Sequence, residues 1–166
     1  LSFRDRLESG SGLQSWQFRE LEFALGIKNQ SVIERYAPGS TARRALEQRY
    51  KGRTLWDAFL RYLAAEGHAV PKAILARDVT QPIEPAPEVQ RILISIYRNN
   101  PIMAQFCERL VDLDEGMQEW RYRHVKMVER TIGNKQGTGG SAGAQYLRGT
   151  LSKPAFPDLW AIRTEL

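Results

Sequence analysis

The stretch that decides the fold is residues 102–132, "IMAQFCERLVDLDEGMQEWRYRHVKMVERTI". Apolar or aromatic side chains recur there every three or four residues, which is the repeat of an amphipathic helix and not of a strand. The pattern continues for about eight helical turns. We therefore predict an all-α fold, a helical bundle with one long central helix at about 102–132. The stripe that forms the predicted apolar seam is Met103, Phe106, Leu110, Leu113, Met117, Trp120, His124 and Met127.

Polar side chains of the long helix separate from this seam. Asp112, Asp114, Glu115 and Glu119 all fall outside it. Cys107 is the single cysteine of the chain. It is predicted to be a small packed side chain, and one cysteine excludes an internal disulfide framework, as expected of a cytoplasmic protein.

Shorter helices are predicted on the amino-terminal side. Ser11 and Gln14 match a capping box, so a helix is predicted to begin at Ser11 and to continue through residues 13–25. Two more helices are predicted at 40–50 and 54–66, separated near Gly52.

The connection to the long helix contains an ambiguous segment. Residues 79–88 hold three prolines and are predicted to be an extended connector. "ILISIY" at 92–97 could be a buried strand by propensity, but the residues before it favour a helix that starts after Pro87.

The composition limits the class of protein. With 166 residues, 42% hydrophobic and 26% charged, the chain suits one domain over residues 1–166. No apolar run approaches the length of a membrane span, so no membrane partner is expected. The net charge of +5 (24 basic minus 19 acidic) permits nucleic-acid binding, but the basic residues are scattered among acids, so no nucleic-acid partner is expected.

His124 has two interpretations. A histidine on an apolar seam is commonly a core residue. The chain has only two histidines, and the other, His68, is predicted to lie in a loop. No HxxxH, CxxC or ExxH spacing exists, so a metal cage made by protein ligands alone is not expected. A lone imidazole is enough for the proximal ligand of haem iron, with Trp120, Met127 and Val128 as an apolar wall.

Two other segments also have alternative interpretations. The glycine-rich residues 133–143 are either a linker or a loop that closes over a small anionic ligand, with the Thr138 hydroxyl in contact. Near the start of the chain, Arg4, Leu7 and Ser11 share one side at helical spacing. Arg4 either pairs with Glu8 on the surface or clamps a carboxylate.

Three stretches together resemble one family. "FRDRLESGSGLQSWQFRELEF", "WRYRHVKMVERTIGNKQGTGGSAGAQYLR" and "FPDLWAIRTEL" are similar to tryptophan 2,3-dioxygenase, a family of haem enzymes. The similarity covers essentially all 166 residues in order. It corresponds to the later part of the family, whose first hundred or so residues have no counterpart here.

The resemblance implies a role for each matching residue. His124 matches the axial ligand of the haem iron, and Trp120 the tryptophan beside the haem. Ser11 and Gly12 match residues at the haem edge and propionate. For the substrate, Arg4 matches the arginine that holds the carboxylate of L-tryptophan and Leu7 an apolar wall of the indole pocket. Thr138 matches the threonine that binds the ammonium and carboxylate groups when the glycine-rich loop closes.

The resemblance also implies the reaction and the partners. A haem b dioxygenase of this family, ferrous in its active form, inserts O₂ into the indole C2–C3 bond of L-tryptophan. The product is N-formylkynurenine, in the first step of tryptophan degradation by the kynurenine pathway. A homotetramer is expected. The distal histidine is expected in an upstream segment, present as a separate chain or left out, so no catalytic residue is assigned here. From the residues alone, a basic nucleic-acid-binding module and a non-catalytic haem or gas binder remain alternatives.

Overall fold

The computed structural model describes residues 15–132 and 153–166, and all regular structure in those residues is helical. The all-α prediction is therefore confirmed. None of the helices described is both long and apolar enough to cross a membrane. The α-helices are α1 (Ser15–Ala24), α2 (Thr41–Lys51), α3 (Leu55–Ala65), α4 (Lys72–Leu75), α5 (Pro87–Asn99), α6 (Pro101–Ile132) and α7 (Pro157–Ala161), with 3-10 helices at Gln30–Arg35 and Ile162–Thr164.

Local signals set the ends of the helices, as predicted. The predicted pair at 40–50 and 54–66 is observed as α2 and α3. The Ser40 hydroxyl accepts a hydrogen bond from the backbone N–H of Arg43 at 3.2 Å and so caps the start of α2, and Gly52 is the cap residue after its last turn. The predicted helix start at Ser11 lies outside the described residues.

The ambiguous segment 92–97 belongs to helix α5, so the helical interpretation is confirmed. Pro87 occupies the first turn, where its missing N–H costs nothing. Val89, Leu93 and Ile96 are buried at helical spacing. Of the connector predicted at 79–88, only residues 82–86 lack regular structure. Residues 79–81 form a turn and a bend, and α5 begins at Pro87.

Two compact units can be distinguished, and each is described by itself. The first contains the described residues up to Leu55 together with Asp78–Pro82. Its core is formed by Phe23, Val32, Ile33 and Leu46. The Lys28 ammonium donates hydrogen bonds to the carbonyl oxygens of Tyr50 at 2.7 Å and Gly52 at 2.6 Å. A cation therefore satisfies carbonyls at the carboxyl end of α2, where the helix dipole favours positive charge.

The second unit contains Trp56–Arg77 and the described residues from Ile83 onward. An aromatic cluster forms part of its core: Trp56 lies 5.6 Å from Phe156 and 5.4 Å from Phe59, between ring centroids. Residues 153–166, called the closing segment below, supply Phe156, and α5 and α6 pack against α7. Asp57, buried on α3, accepts two hydrogen bonds from the Arg77 guanidinium at 2.6 and 3.0 Å.

The long helix α6 spans Pro101–Ile132, as predicted, but its buried face differs from the predicted seam. Leu110 and Met117 are buried, whereas Phe106 is 46% exposed and Leu113 is 38% exposed. The predicted continuous seam is therefore wrong. The residues of the buried row follow one another at spacings of 4, 3, 7 and 4 positions. Together these spacings cover 18 residues, or about five turns, which is the ordinary period of an α-helix. That row consists of Cys107, Val111, Asp114, Arg121 and Val125.

Asp114 was predicted to lie outside the apolar face, yet its side chain is 0% exposed. Its Oδ2 accepts hydrogen bonds from the backbone N–H of Ala155 at 2.9 Å and of Phe156 at 3.2 Å. The indole N–H of Trp160 donates to the same oxygen at 2.9 Å. A buried carboxylate is stable only with such donors, so this cluster fastens the closing segment to α6.

A second polar cluster joins the end of the chain to α5 and α6. The Glu108 carboxylate accepts hydrogen bonds from the Tyr97 hydroxyl at 2.6 Å and from the Arg163 guanidinium at 2.8 Å. Arg163 also donates to the Tyr97 hydroxyl oxygen at 3.1 Å. The hydrogen bond from Tyr97, together with Arg163, lowers the pKa of the Glu108 carboxyl group.

Asp114→Ala should lower the free energy of unfolding by at least about 3 kcal/mol, because it leaves three donors of the closing segment without their acceptor. Urea titration monitored by circular dichroism measures this change. Asp112→Ala is the matched control, since Asp112 is exposed on the same helix and forms an exposed ion pair with Arg109. The control should change stability by less than about 0.5 kcal/mol. Equal effects of the two substitutions would contradict the role of Asp114.

Glu108→Gln should destabilise the protein more at pH 7 than at about pH 3. The pKa of Glu108 is lowered in the folded state, so its contribution is present above the unfolded pKa and is lost as the pH falls through the folded value. Because Glu108 is partly exposed, the effect at pH 7 should stay under about 1 kcal/mol. Denaturant midpoints at both pH values measure it, with the exposed Glu115→Gln as control. An effect of Glu108→Gln that grows on acidification would refute the assignment.

Candidate functional site

The candidate site lies on the last third of α6, where two rings from successive turns stack. The Trp120 indole and the His124 imidazole have centroids 4.9 Å apart and planes inclined by only 8°. Their spacing of four residues places them on the same side of the helix. His124 is half-buried and Trp120 is 40% exposed, so this side of α6 carries a partly exposed pair of stacked rings, one of which is an imidazole.

The adjacent side of α6 is held in the core at the same level. Val125 and Arg121 are both buried, and each follows a ring of the stack by one residue, about 100° around the helix. The Arg121 guanidinium donates a hydrogen bond to the carbonyl oxygen of Lys153 at 3.5 Å. The backbone that carries the stack is therefore fixed by contacts on its other side.

The charges around the stack favour an anionic ligand. Residues 119–130 carry four basic and two acidic side chains, a net charge of +2 (4 − 2) with histidine neutral. Both acids form ion pairs: Glu119 with Arg123 at 2.6 Å, and Glu129 with Lys126 at 3.1 Å. A positive field of this kind attracts carboxylate-bearing molecules.

Among the residues that the structure describes, other titratable groups give no competing site. Burial raises the pKa of the Cys107 thiol to about 12, so the reactive thiolate is suppressed at neutral pH. Cys107 is buried, as the sequence predicts. His68 lies in a loop, also as predicted. The part of the chain that the structure describes contains no group of three or more His, Cys, Asp or Glu residues able to hold a metal ion.

Comparison with known proteins covers this site. The family model for tryptophan 2,3-dioxygenase matches residues 87–166, which include α5, α6 and the closing segment. The tryptophan 2,3-dioxygenase of Herpetosiphon aurantiacus is 59% identical over 165 residues, 99% of this chain and 63% of that protein. The enzyme of the same name from Anaeromyxobacter sp. is 54% identical over 99% of this chain and 62% of its own length.

The chain belongs to the tryptophan 2,3-dioxygenase family. A more distant relative of that name, from Myxococcus xanthus, is still 43% identical over 100% of this chain. The chain spans 63% of the length of the Herpetosiphon relative and 58% of the Myxococcus one.

The stacked pair fits the cofactor that the tryptophan 2,3-dioxygenase family implies. A porphyrin supplies four equatorial bonds to iron, so the protein needs to supply only an axial ligand, and a histidine is a common one. His124 provides one imidazole that is accessible in part, beside the apolar surface of Trp120 and the half-buried Met127. This donor set suits haem and does not resemble a tetrahedral zinc site.

The structure describes two of the predicted site residues in full, His124 and Trp120, and brings them into contact. Val128 lies on the same helix, but its side chain is not among those described. The remaining predicted positions lie outside the described residues, so their roles stay predictions: Arg4, Leu7, Ser11, Gly12, Thr138 and the loop at 133–143.

Sequence analysis missed the polar supports of this region. Arg121 and Asp114 are charged residues within an amphipathic pattern, and charged residues are ordinarily assigned to the solvent face. Asp114 and Arg121 are seven residues apart and lie on the same side of the helix as Cys107 and Val125, and this spacing could have predicted their burial. This spacing puts both on the row that a straight helix would bury.

Proposed function

We propose that the protein is a haem-dependent tryptophan 2,3-dioxygenase. In the proposed reaction both atoms of O₂ enter L-tryptophan, the indole C2–C3 bond breaks, and each of the two carbons ends as a carbonyl carbon of N-formylkynurenine. All atoms of both substrates are retained in the product, so no external reductant is consumed. This would be the first step of tryptophan degradation by the kynurenine pathway.

The observation that supports this proposal most is the accessible His124 imidazole beside Trp120, on a helix within the part that the family model matches. His124 would bind the iron of haem b, and Trp120, Val128 and Gly12 would lie against the macrocycle. When bound, ferrous haem b supplies the metal centre for oxygen chemistry. The net positive charge around α6 would favour the anionic propionates of the haem.

The remaining residues of the proposed site bind and orient the substrate. The Arg4 guanidinium is proposed to hold the L-tryptophan carboxylate with two parallel hydrogen bonds. Thr138 would bind the ammonium and carboxylate groups, while Leu7 and Ser11 line the pocket. Holding the carboxylate and the ammonium group of the amino-acid end fixes where the indole ring lies, and apolar walls exclude water. A homotetramer is proposed as the assembly.

His124→Ala should abolish haem retention, because the proposed iron ligand is removed. Absorption spectra with and without dithionite would show loss of the Soret band, and formation of N-formylkynurenine, measured in the near ultraviolet, should stop. His68→Ala is the matched control, since it removes the other histidine of the chain, and it should keep the band. A normal Soret band in His124→Ala would mean that another residue ligates the iron. A wild-type protein with haem but without product would be a non-catalytic haem binder.

Arg4→Leu should raise the Michaelis constant for L-tryptophan by roughly 10- to 100-fold, the effect of losing a charged bidentate contact. Steady-state kinetics at saturating oxygen measure the constant. Arg6→Leu is the control, since Arg6 is a second arginine two positions away in the sequence, and residues two apart do not face each other on a helix. An unchanged Michaelis constant in Arg4→Leu would remove Arg4 from the proposed site.

A further inference from the structure

The parallel stack of Trp120 on His124 has a consequence for the imidazole itself. A histidine on a helix has two rotatable side-chain bonds, and the second one is broad, so the plane of the ring is poorly defined by rotamer preference alone. An indole 4.9 Å away and inclined by 8° favours one ring plane over the others. The stack therefore restricts the very rotation that decides where the ring nitrogens point.

The backbone beneath the stack offers little compensating freedom. Both rings stand on α6, which is continuous from Pro101 to Ile132. Val125 is buried beside His124, and Arg121 is buried beside Trp120 and reaches the Lys153 carbonyl. Because the helix is fixed on that side, the orientation of the imidazole depends on contacts of its own ring.

We propose that Trp120 is a positioning residue, which holds the His124 imidazole in one orientation, ready to bind the haem iron, before haem binds. The inference rests on the proposed haem binding at His124. A ligand ring that is already oriented loses less freedom on binding, so the complex forms more tightly. Trp120 is 40% exposed and lies outside the hydrophobic core, and its stack on the imidazole is the contact that bears on the orientation of the His124 ring.

Two substitutions separate a stacked ring from apolar bulk. Trp120→Phe keeps an aromatic plane over the imidazole, whereas Trp120→Leu keeps apolar volume without a plane. Tyr122→Leu is the matched control, because Tyr122 is another aromatic residue of α6, 53% exposed, whose ring contacts the Lys126 ammonium and not His124. All three variants change one aromatic residue on the same helix.

The first measurement is proton NMR of the protein prepared without haem. With only two histidines in the chain, His68→Gln assigns the imidazole signals. The ring current of the indole should shift the His124 carbon-bound protons upfield. Trp120→Leu should abolish this shift, Trp120→Phe should keep part of it, and Tyr122→Leu should leave it unchanged. An unshifted His124 signal in the wild-type protein would overturn the proposal, whatever the outcome of the activity assay.

The second measurement is the rate of haem transfer to excess apomyoglobin. Trp120→Leu should accelerate haem loss by roughly 2- to 10-fold, the range that aromatic stacking supports, and Trp120→Phe by less. Equal rates in the wild-type protein and Trp120→Leu, or equal acceleration by Phe and Leu, would overturn the positioning role. A wild-type protein that binds haem but forms no N-formylkynurenine would refute the proposed dioxygenase function and leave this inference standing.

Discussion

The buried carboxylate of Asp114 is the interaction on which the packing of the second unit depends. A charge removed from water is stable only where donors surround it. The closing segment supplies three of them, the backbone N–H groups of Ala155 and Phe156 and the indole of Trp160. If that segment left α6, the carboxylate would lose them together. The position of Phe156 against Trp56 follows from this constraint. The backbone N–H of Phe156 is bound by Asp114, and the ring of the same residue packs against Trp56.

The same constraint orients the candidate site. Ten residues separate Asp114 from His124, which places them about 80° apart around the helix axis. Once Asp114 faces the closing segment, with Arg121 and Val125 on the same row, the Trp120–His124 stack must face another direction. A charged anchor in the core thus leaves an imidazole accessible on the neighbouring side of one helix. The function proposed for the chain depends on that accessibility.

Much of the fold could be predicted from the sequence, because the ends of helices depend on residues within one turn. Ser40 caps α2, and Pro87 begins α5. At the start of α6 the Asn100 side chain accepts a hydrogen bond from the backbone N–H of Met103. The predicted seam failed for a different reason. It counted apolar residues only, and so included Phe106 and Leu113 while it left out Asp114 and Arg121. Burial of a charge depends on hydrogen-bond partners elsewhere in the chain, which the local pattern does not contain.

The sequence by itself determined the helical class, the extent of α6 and the choice of His124 as the candidate ligand, because each depends on local periodicity or on a motif within a short stretch. Only the tertiary structure decided which face of α6 is buried and how the imidazole lies. Asp114 and Ala155 are 41 residues apart in sequence, so no local rule links them. The stack of Trp120 on His124 is a matter of side-chain rotation, which a spacing of four residues permits but does not specify.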